Sequence, residues 1–287
     1  GTSSKCRKIL EKSAISRDRW KVIETMAPGK SRGVNLAISE YPNDLFIMMD
    51  TDTKSDEGWL EKIWAEFSLE GTAAISGVEK PKISRNPRNS YKKNSDMIRI
   101  AESIIESSPI LEGGLIAWRT DYMEGFRLDE SLNADDTQFA LEAIRRGYRS
   151  RVVEGIAFED TKHSEFDFQR SLRRSQGLSR ALARNFDLCV FAPRKKARAI
   201  VFSSLATYLL VPWFVLLFVL MAPFVVMETG VQQEIESMNY GFFFLLFALP
   251  QGRGLAWGAI VSIISHLQFL AGINHSVWDP GQQYRSD

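Results

Sequence analysis

The chain has 287 residues, with 36 Lys+Arg, 35 Asp+Glu and 2 Cys, and 45% of it is apolar. That allows one large domain or two modest ones with ample core material. A formal net charge of +1 excludes attachment to nucleic acid by bulk charge, and two cysteines exclude a disulfide-stapled or Cys-rich zinc module.

The chain opens at Gly1 without a methionine, on turn and helix text (GTSSKCRKILEKSA), which points to a missing upstream piece. Strand-like Trp20 to Glu24, helix-like Ser31 to Ser39, strand-like Leu45 to Met49, helix-like Glu57 to Phe67 and strand-like Ala73 to Val78 follow in turn. Such alternation predicts an α/β domain with a parallel or mostly parallel sheet. Leu60, Ile63, Trp64 and Phe67 recur at helical spacing behind the candidate caps Ser55 and Asp56. Pro81 to Ser108 reads first as polar and irregular, a long surface excursion, then as partly helical. Leu115 to Arg119 reads as a strand, Asp136 to Arg146 as a helix stopped by Gly147, and Arg151 to Glu159 as a strand.

Charge divides the chain at Arg198. Residues 1–198 hold 34 basic and 30 acidic side chains, whereas 199–287 hold Arg253 and Arg285 against five acids. Ala199 to Met227 carries no charge, and at about 1.5 Å per helical residue it exceeds a hydrocarbon core of roughly 30 Å. A second apolar region, Met238 to Ile273, is broken by Pro250-Gln251-Gly252-Arg253-Gly254. A polar domain over 1–198 is therefore expected to precede a membrane region over 199–287 with two or three transmembrane or interfacial helices. Arg194-Lys195-Lys196-Ala197-Arg198 precedes the first span and an acidic linker follows it, so the positive-inside rule predicts a multi-pass protein whose polar domain is cytoplasmic.

Chemistry concentrates in three places. The apolar run Leu45 to Met49 ends in Asp50-Thr51-Asp52-Thr53, two carboxylates where open α/β sheets bind ligands and where Mg²⁺ or Mn²⁺ could bridge to a diphosphate. The alternative is a polar turn that happens to begin with Asp. Gly29-Lys30 lacks the spacing of a P-loop, yet a lysine at a helix N-terminus could meet a phosphate or those carboxylates. Asn133-Ala134-Asp135-Asp136 opens a helix; one acid could serve as a general base, or the group could simply cap the helix. His163, His266 and His275 show no ligand spacing.

Taken in order, GKSRGVNLAI, LFIMMDTDTKSDEGWLEKI and EGGLIAWRTDYMEGFRLDESLNADDTQFALEAIRRGYRSRVVEG resemble the inverting family 2 glycosyltransferases of the GT-A fold, over roughly Gly1 to Ala183. The resemblance implies a Rossmann-like catalytic domain that takes a nucleotide-diphospho-sugar donor. It implies that Asp50 and Asp52 form the Asp-x-Asp metal site, with Asp52 the principal ligand, and that Lys30 lies near the nucleotide. It implies too that Gly113 and Gly114 make the glycine turn at the sugar or acceptor, and that Asp136, beside Asp135, deprotonates the acceptor hydroxyl. Family members place a first strand ahead of the point where this chain begins, so about 40 residues are expected to be absent.

Between Gln169 and Arg198 nine Lys or Arg face one acid, Asp187, a segment suited to anionic lipid headgroups or to a lipid-linked acceptor. Arg173 and Arg174 within it could reach the diphosphate. Where processive relatives carry Gln-x-x-Arg-Trp, this chain has Gln169-Arg170-Ser171-Leu172-Arg173-Arg174, which favours addition of one or a few sugars. Two other classes compete. An apolar strand before Asp-x-Asp-x-Thr also opens phosphatases that use Asp50 as nucleophile, and a truncated transferase-like domain could act as a membrane-tethered interaction module.

Overall fold

The structure, a computed structural model, describes residues 2–25, 29–41, 43–80, 87–160, 168–229 and 250–273. Its sheet has five strands in the order β1 (Leu45–Met49), β4 (Leu115–Arg119), β3 (Thr72–Glu79), β5 (Arg149–Asp160), β2 (Thr53–Ser55). Only the β3–β5 pairing is parallel; β1–β4, β3–β4 and β2–β5 are antiparallel. The expectation of a mostly parallel sheet is thus corrected to a mixed one. After β3 the chain runs along α4 (Pro87–Ile105), and β4 then enters from the opposite end between β1 and β3. Alternating element types count strands and helices but leave strand direction open.

Strand period two is kept faithfully. Phe46 and Met48 of β1 and Ile116 and Trp118 of β4 pack on one face with Phe139 and Ala143 of α5 (Asp135–Arg145) and Val34 and Ile38 of α2 (Lys30–Glu40). Leu45, Ile47 and Met49, with Leu115 and Ala117, turn to the other face against Ile63 and Phe67 of α3 (Trp59–Phe67). A third apolar cluster joins α5 to α6 (Phe168–Arg184), α7 (Leu188–Phe191) and α8 (Lys195–Leu205) through Leu141, Ile144, Leu182, Leu188, Ala197 and Val201.

Several local readings change. Trp20 to Glu24 forms no strand and joins no strand of the sheet. Ser55 and Asp56 do not cap α3: Ser55 pairs in β2 with Phe158, Asp56 ion-pairs with Lys80 at 2.6 Å, and the helix begins after Gly58 at φ 72. Of its apolar stripe, Ile63 and Phe67 are buried while Leu60 and Trp64 are 50% and 70% exposed, because the sheet meets only one narrow side of the helix. Pro81 to Ser108 is not a surface loop over its described part, since residues 87–105 form α4, which buries Ser95, Asp96 and Ser103.

In the apolar region α8 runs on through one π turn at Ala206–Leu210 into α9 (Val211–Thr229). Lys195–Met221 is the one helix among the described residues that is long and apolar enough to span a membrane. A further helix, α10 (Pro250–Leu270), lies against α4 and α6. Its inner face is small and polar: Gly254 and Gly258 rest on Tyr91, and Ser265 hydrogen-bonds with Ser175 at 2.9 Å. Multi-pass insertion is therefore not supported: among the described residues only Lys195–Met221 qualifies as a span, and α10, which buries Ser262 and Ser265, packs on α4 and α6 of the polar domain. Residues 238–249 of the second apolar region lie outside the described residues.

Candidate functional site

The antiparallel register of β1 and β4 creates the site. Met49 pairs with Leu115, so Asp50, just past the end of β1, stands beside Gly114, just before β4, and donates its N–H to the Gly114 carbonyl at 3.1 Å. A parallel β4 would have carried its glycines to the far end of the sheet. The chain then turns tightly, with Thr53 N–H on the Asp50 carbonyl at 3.0 Å, and Asp52 sits partly buried on that turn.

Lys30 opens α2, which is docked by two hydrogen bonds between Asn35 and the Leu128 main chain (2.9 and 2.8 Å) and by Arg32 on Glu130 at 2.8 Å. Its ammonium lies 2.7 Å from Asp50 Oδ1, 3.1 Å from Asp135 Oδ2 and 3.4 Å from the Gly113 carbonyl. Burial alone would depress this lysine, but Asp135 and Asp50 outweigh it and hold it above its ordinary value.

Asp135 and Asp136 begin α5 after Ala134, which has no polar side chain to cap it. The capping alternative holds for one oxygen of Asp136, whose Oδ1 accepts the first-turn Thr137 N–H at 2.7 Å, whereas Asp136 Oδ2 lies where a Cβ on Gly113 would meet it at 3.1 Å and Asp135 turns to Lys30. Asp135 Oδ2 is buried in ion-pair range of Lys30 but in no hydrogen-bond geometry, leaving an acceptor lobe unfilled. Burial, then the neighbouring Asp135 charge, raise the Asp136 carboxyl above the usual range, against the Thr137 N–H at 2.7 Å and the charges of Lys30 and Arg174. Gly114 has no room for a side chain, since a Cβ there would run into the Phe158 ring.

Arg174 of α6 is near enough for its charge to act on both Asp136 and Lys92. Arg173 is fixed through its carbonyl, which accepts from Asn133 Nδ2 at 3.1 Å. Trp118 is packing, stacked on Phe46 and Phe139 at 5.3 and 4.2 Å between ring centroids. His266 bonds Ser179 and Trp213 away from the site, and His163 and His275 lie outside the described residues.

Among the described residues no group of three or more His, Cys, Asp or Glu converges into a metal cage. The donor chemistry at Asp50 and Asp52 nevertheless fits a hard divalent cation, which commonly takes one or two carboxylates and completes its shell with substrate phosphates and water.

A second charged group went unread in the sequence. Lys92, Asp96 and Arg99 of α4 meet Glu79 and Glu112 directly behind Gly113. The signal was available: 92, 96, 99 and 103 recur at helical spacing opposite exposed Met97, Ile98, Ile104 and Ile105. Polarity and Pro87 concealed it.

Residues 1–124 match the family model described as Glycosyl transferase family 2. Among solved structures, the mannosyltransferase PcManGT of Pyrobaculum calidifontis, in complex with GDP-Man and Mn2+, superposes with a TM-score of 0.73 at 20% identity, covering 93% of this chain and 74% of that one. TarS 1-349 of S. aureus in complex with UDP-GlcNAc aligns with a TM-score of 0.49 at 16% identity, covering 93% of this chain and 80% of that one. No curated protein matches the chain by sequence. The fold is thus the GT-A-like glycosyltransferase fold with a mixed sheet.

Proposed function

We propose that the chain is an inverting family 2 glycosyltransferase that moves a sugar from a nucleotide-diphospho-sugar to a lipid-linked or membrane-presented acceptor. The observation that carries this reading is the meeting of Lys30, Asp50 and Asp135 at ion-pair distance, with Asp136 against Gly113, from four separate segments. The family match over residues 1–124 and the fold of a mannosyltransferase support it.

In the reaction the acceptor oxygen attacks the anomeric carbon from the face opposite the diphosphate, and configuration inverts. Asp136 holds the acceptor hydroxyl and takes its proton; burial and the Asp135 charge raise its carboxyl above the usual range, which makes it a stronger base than an exposed carboxylate. Lys30 offers the leaving diphosphate a cation already aligned by two carboxylates, and Arg174, with Arg173, adds positive charge from α6. Asp52, with Asp50, would hold Mg²⁺ or Mn²⁺, which supplies counter-charge to the diphosphate when bound. Gly113 and Gly114 leave bare backbone where the sugar must approach. If the acceptor is a lipid phosphate it is already an anion, and Asp136 then serves to position it.

The catalytic unit spans 1–198, with α10 packed on it, and the apolar region follows. Lys195–Met221 anchors the chain with its basic start on the cytoplasmic side, where anionic headgroups or a membrane-borne acceptor would be drawn. The phosphatase alternative loses its footing in this fold, where Asp50 is paired with Lys30 and the late acids open a helix.

A thermal-shift panel of UDP, GDP, CDP and dTDP on the detergent-solubilised chain, with and without Mn²⁺, tests the reading. One nucleotide is expected to stabilise the protein in a metal-dependent manner. No response to any of them would refute a working nucleotide pocket and leave the interaction-module reading.

A further inference from the structure

Helix α4 presents its apolar side outward. Its exposed residues are Lys93, Met97, Ile98, Ala101, Ile104 and Ile105, and from Met97 onward every one of them is apolar. Met97, Ile98, Ile104 and Ile105 are between 56% and 71% exposed. At about 100° per residue positions 97, 98, 101, 104 and 105 fall within an arc of about 120°, one continuous stripe.

The opposite side of α4 carries the charge and faces inward. Lys92 lies 3.1 Å from Glu112 and 3.6 Å from Glu79, Arg99 ion-pairs with Glu112, and Ser103 Oγ accepts the Val152 N–H of β5 at 2.7 Å. The side chains of Lys92, Arg99, Glu79 and Glu112 are all less than a quarter exposed. A helix that packs on a domain in water does the reverse and buries its apolar stripe. Turning α4 about its axis to hide the isoleucines would strip these buried charges of their partners, so the inner contacts hold the stripe outward.

Its neighbours indicate what covers it. Helix α4 runs antiparallel to α8: Glu106, just past the end of α4, meets Arg194 at 2.5 Å, and Glu102, one turn earlier, accepts from Ser204 Oγ at 3.1 Å. Ile98 and Ile105 are the helical neighbours of Glu102, so the stripe borders the first turns of Lys195–Met221, on which Phe202 is also exposed. The exposed charges at its two ends are basic, Lys93 at one and Lys195 and Lys196, beside the Glu106–Arg194 pair, at the other. From Met97 to Ile105 the stripe is about 12 Å long, far short of a hydrocarbon core of roughly 30 Å, a length for lying along a membrane and not for crossing it.

We infer that the outward face of α4 rests in the bilayer interface, with Met97, Ile98, Ile104 and Ile105 against acyl chains and Lys93, Lys195 and Lys196 at anionic headgroups. A second copy of the chain would bring the same lysines against these, whereas an anionic leaflet complements them. The choice of a bilayer rests on the anchor reading of Lys195–Met221; the outward apolar face does not. Because Lys92 of this helix holds Glu112, the residue before Gly113, the candidate site then lies about one helix diameter, roughly 10 Å, from the surface that carries the acceptor.

The test places single cysteines, Met97→Cys, Ile104→Cys, Leu60→Cys and Leu217→Cys, in a Cys6→Ser/Cys189→Ala background of the full chain. Each is labelled with a nitrobenzoxadiazole fluorophore and reconstituted, one chain per disc, in nanodiscs of phosphatidylcholine and phosphatidylglycerol. Doxyl-labelled lipid quenches a label among acyl chains, and iodide quenches one in water. Leu60, exposed on α3 at the other face of the sheet, is the aqueous control, and Leu217, exposed on α9, is the membrane control. The labels at 97 and 104 are expected to be quenched about threefold more than that at 60 by shallow doxyl lipid and about threefold less by iodide, with Tm unchanged. Deep doxyl lipid should act on 217 more than on either.

Iodide access at 97 and 104 equal to that at 60, without lipid quenching, overturns the proposal. So does protection from both quenchers, which would mean that protein, a second copy or another segment of this chain, covers the stripe. Lipid quenching at 217 but not on α4 removes the interfacial helix and keeps the anchor; quenching on α4 but not at 217 does the opposite. Should one of the two α4 variants not fold, the other decides.

Discussion

Lys30 Nζ and Asp135 Oδ2 meet at 3.1 Å, although one opens the helix before β1 and the other opens the helix after β4. The same ammonium lies 2.7 Å from Asp50, so a single lysine bridges two carboxylates that would otherwise repel each other. Its removal acts on all three groups together.

Lys30→Met should therefore weaken nucleoside diphosphate binding by about tenfold or more, the loss of one hydrogen bond from a charged donor. Calorimetric titration with the responding nucleotide and Mn²⁺ measures this. Wild-type affinity in the variant would remove Lys30 from the donor site.

For Asp136 the expectation concerns pH as well as rate. A base must be ionised, so with its carboxyl raised by burial and by Asp135, kcat/KM should fall as pH drops through a value above the ordinary carboxylate range. Asp136→Asn should lose about 10² to 10⁴ in kcat and spare donor binding. Stability runs the other way: a folded-state pKa above the unfolded one costs the fold nothing below the unfolded pKa, and a growing penalty as pH rises through the folded one. Asp136→Asn should thus match or exceed the wild-type Tm at pH 8, with the gap closing toward pH 3. A lower Tm for the variant at pH 8 would contradict the raised pKa.

Asp52→Asn separates metal from nucleotide. Stabilisation by the nucleotide should no longer respond to Mn²⁺, because neutralising one of two hard donors abolishes the cation site. An undiminished Mn²⁺ response would move the metal elsewhere.

The two glycines make a paired test. Gly114→Ala drives a Cβ into the Phe158 ring within the core and should cost about 1–3 kcal/mol by overpacking. Gly113→Ala meets only Asp136 Oδ2, at 3.1 Å, and should leave Tm nearly intact while lowering kcat. Denaturant titration and steady-state kinetics on both variants check the difference, and equal effects on stability would remove the distinction between them.

Leu217 is 53% exposed on the helix that anchors the chain in the proposed function. In water Leu217→Arg would be nearly neutral, whereas near the middle of a bilayer it costs about 2.5–3.5 kcal/mol. Liposome flotation should therefore drop sharply for this variant while nucleotide binding in detergent is kept. Unaltered flotation would count against insertion of Lys195–Met221.

Much of the site was legible because it is written at the ends of elements. Asp50 and Asp52 follow a run of five apolar residues, Lys30 opens a helix, and Asp135 and Asp136 open another. Those positions follow from local periodicity, which depends only on the order of side chains along the chain. Lys92, Arg99 and Glu112 were missed because their meaning is a contact between α4 and the turn before β4, and only the later part of α4 was legible as helix beneath polar text. The exposure of Leu60 and Trp64 lay beyond the sequence for a related reason: periodicity marks which side chains share a helix face, not how wide a surface awaits them.

The sequence by itself determined four of the five strands of the sheet, β1, β3, β4 and β5, the helices α2, α3 and α5, the division between a polar domain and an apolar region, and the acids that end or begin elements. Only the tertiary structure decided that β4 runs against β1, that Lys30 joins Asp50 to Asp135, and that α10 lies on α4 and α6. The reason is physical. Local order is fixed by burying one face of each element, whereas strand direction, the choice of counter-ion and the partner of a helix are settled by competition among long-range contacts, which the chain makes only once it is folded.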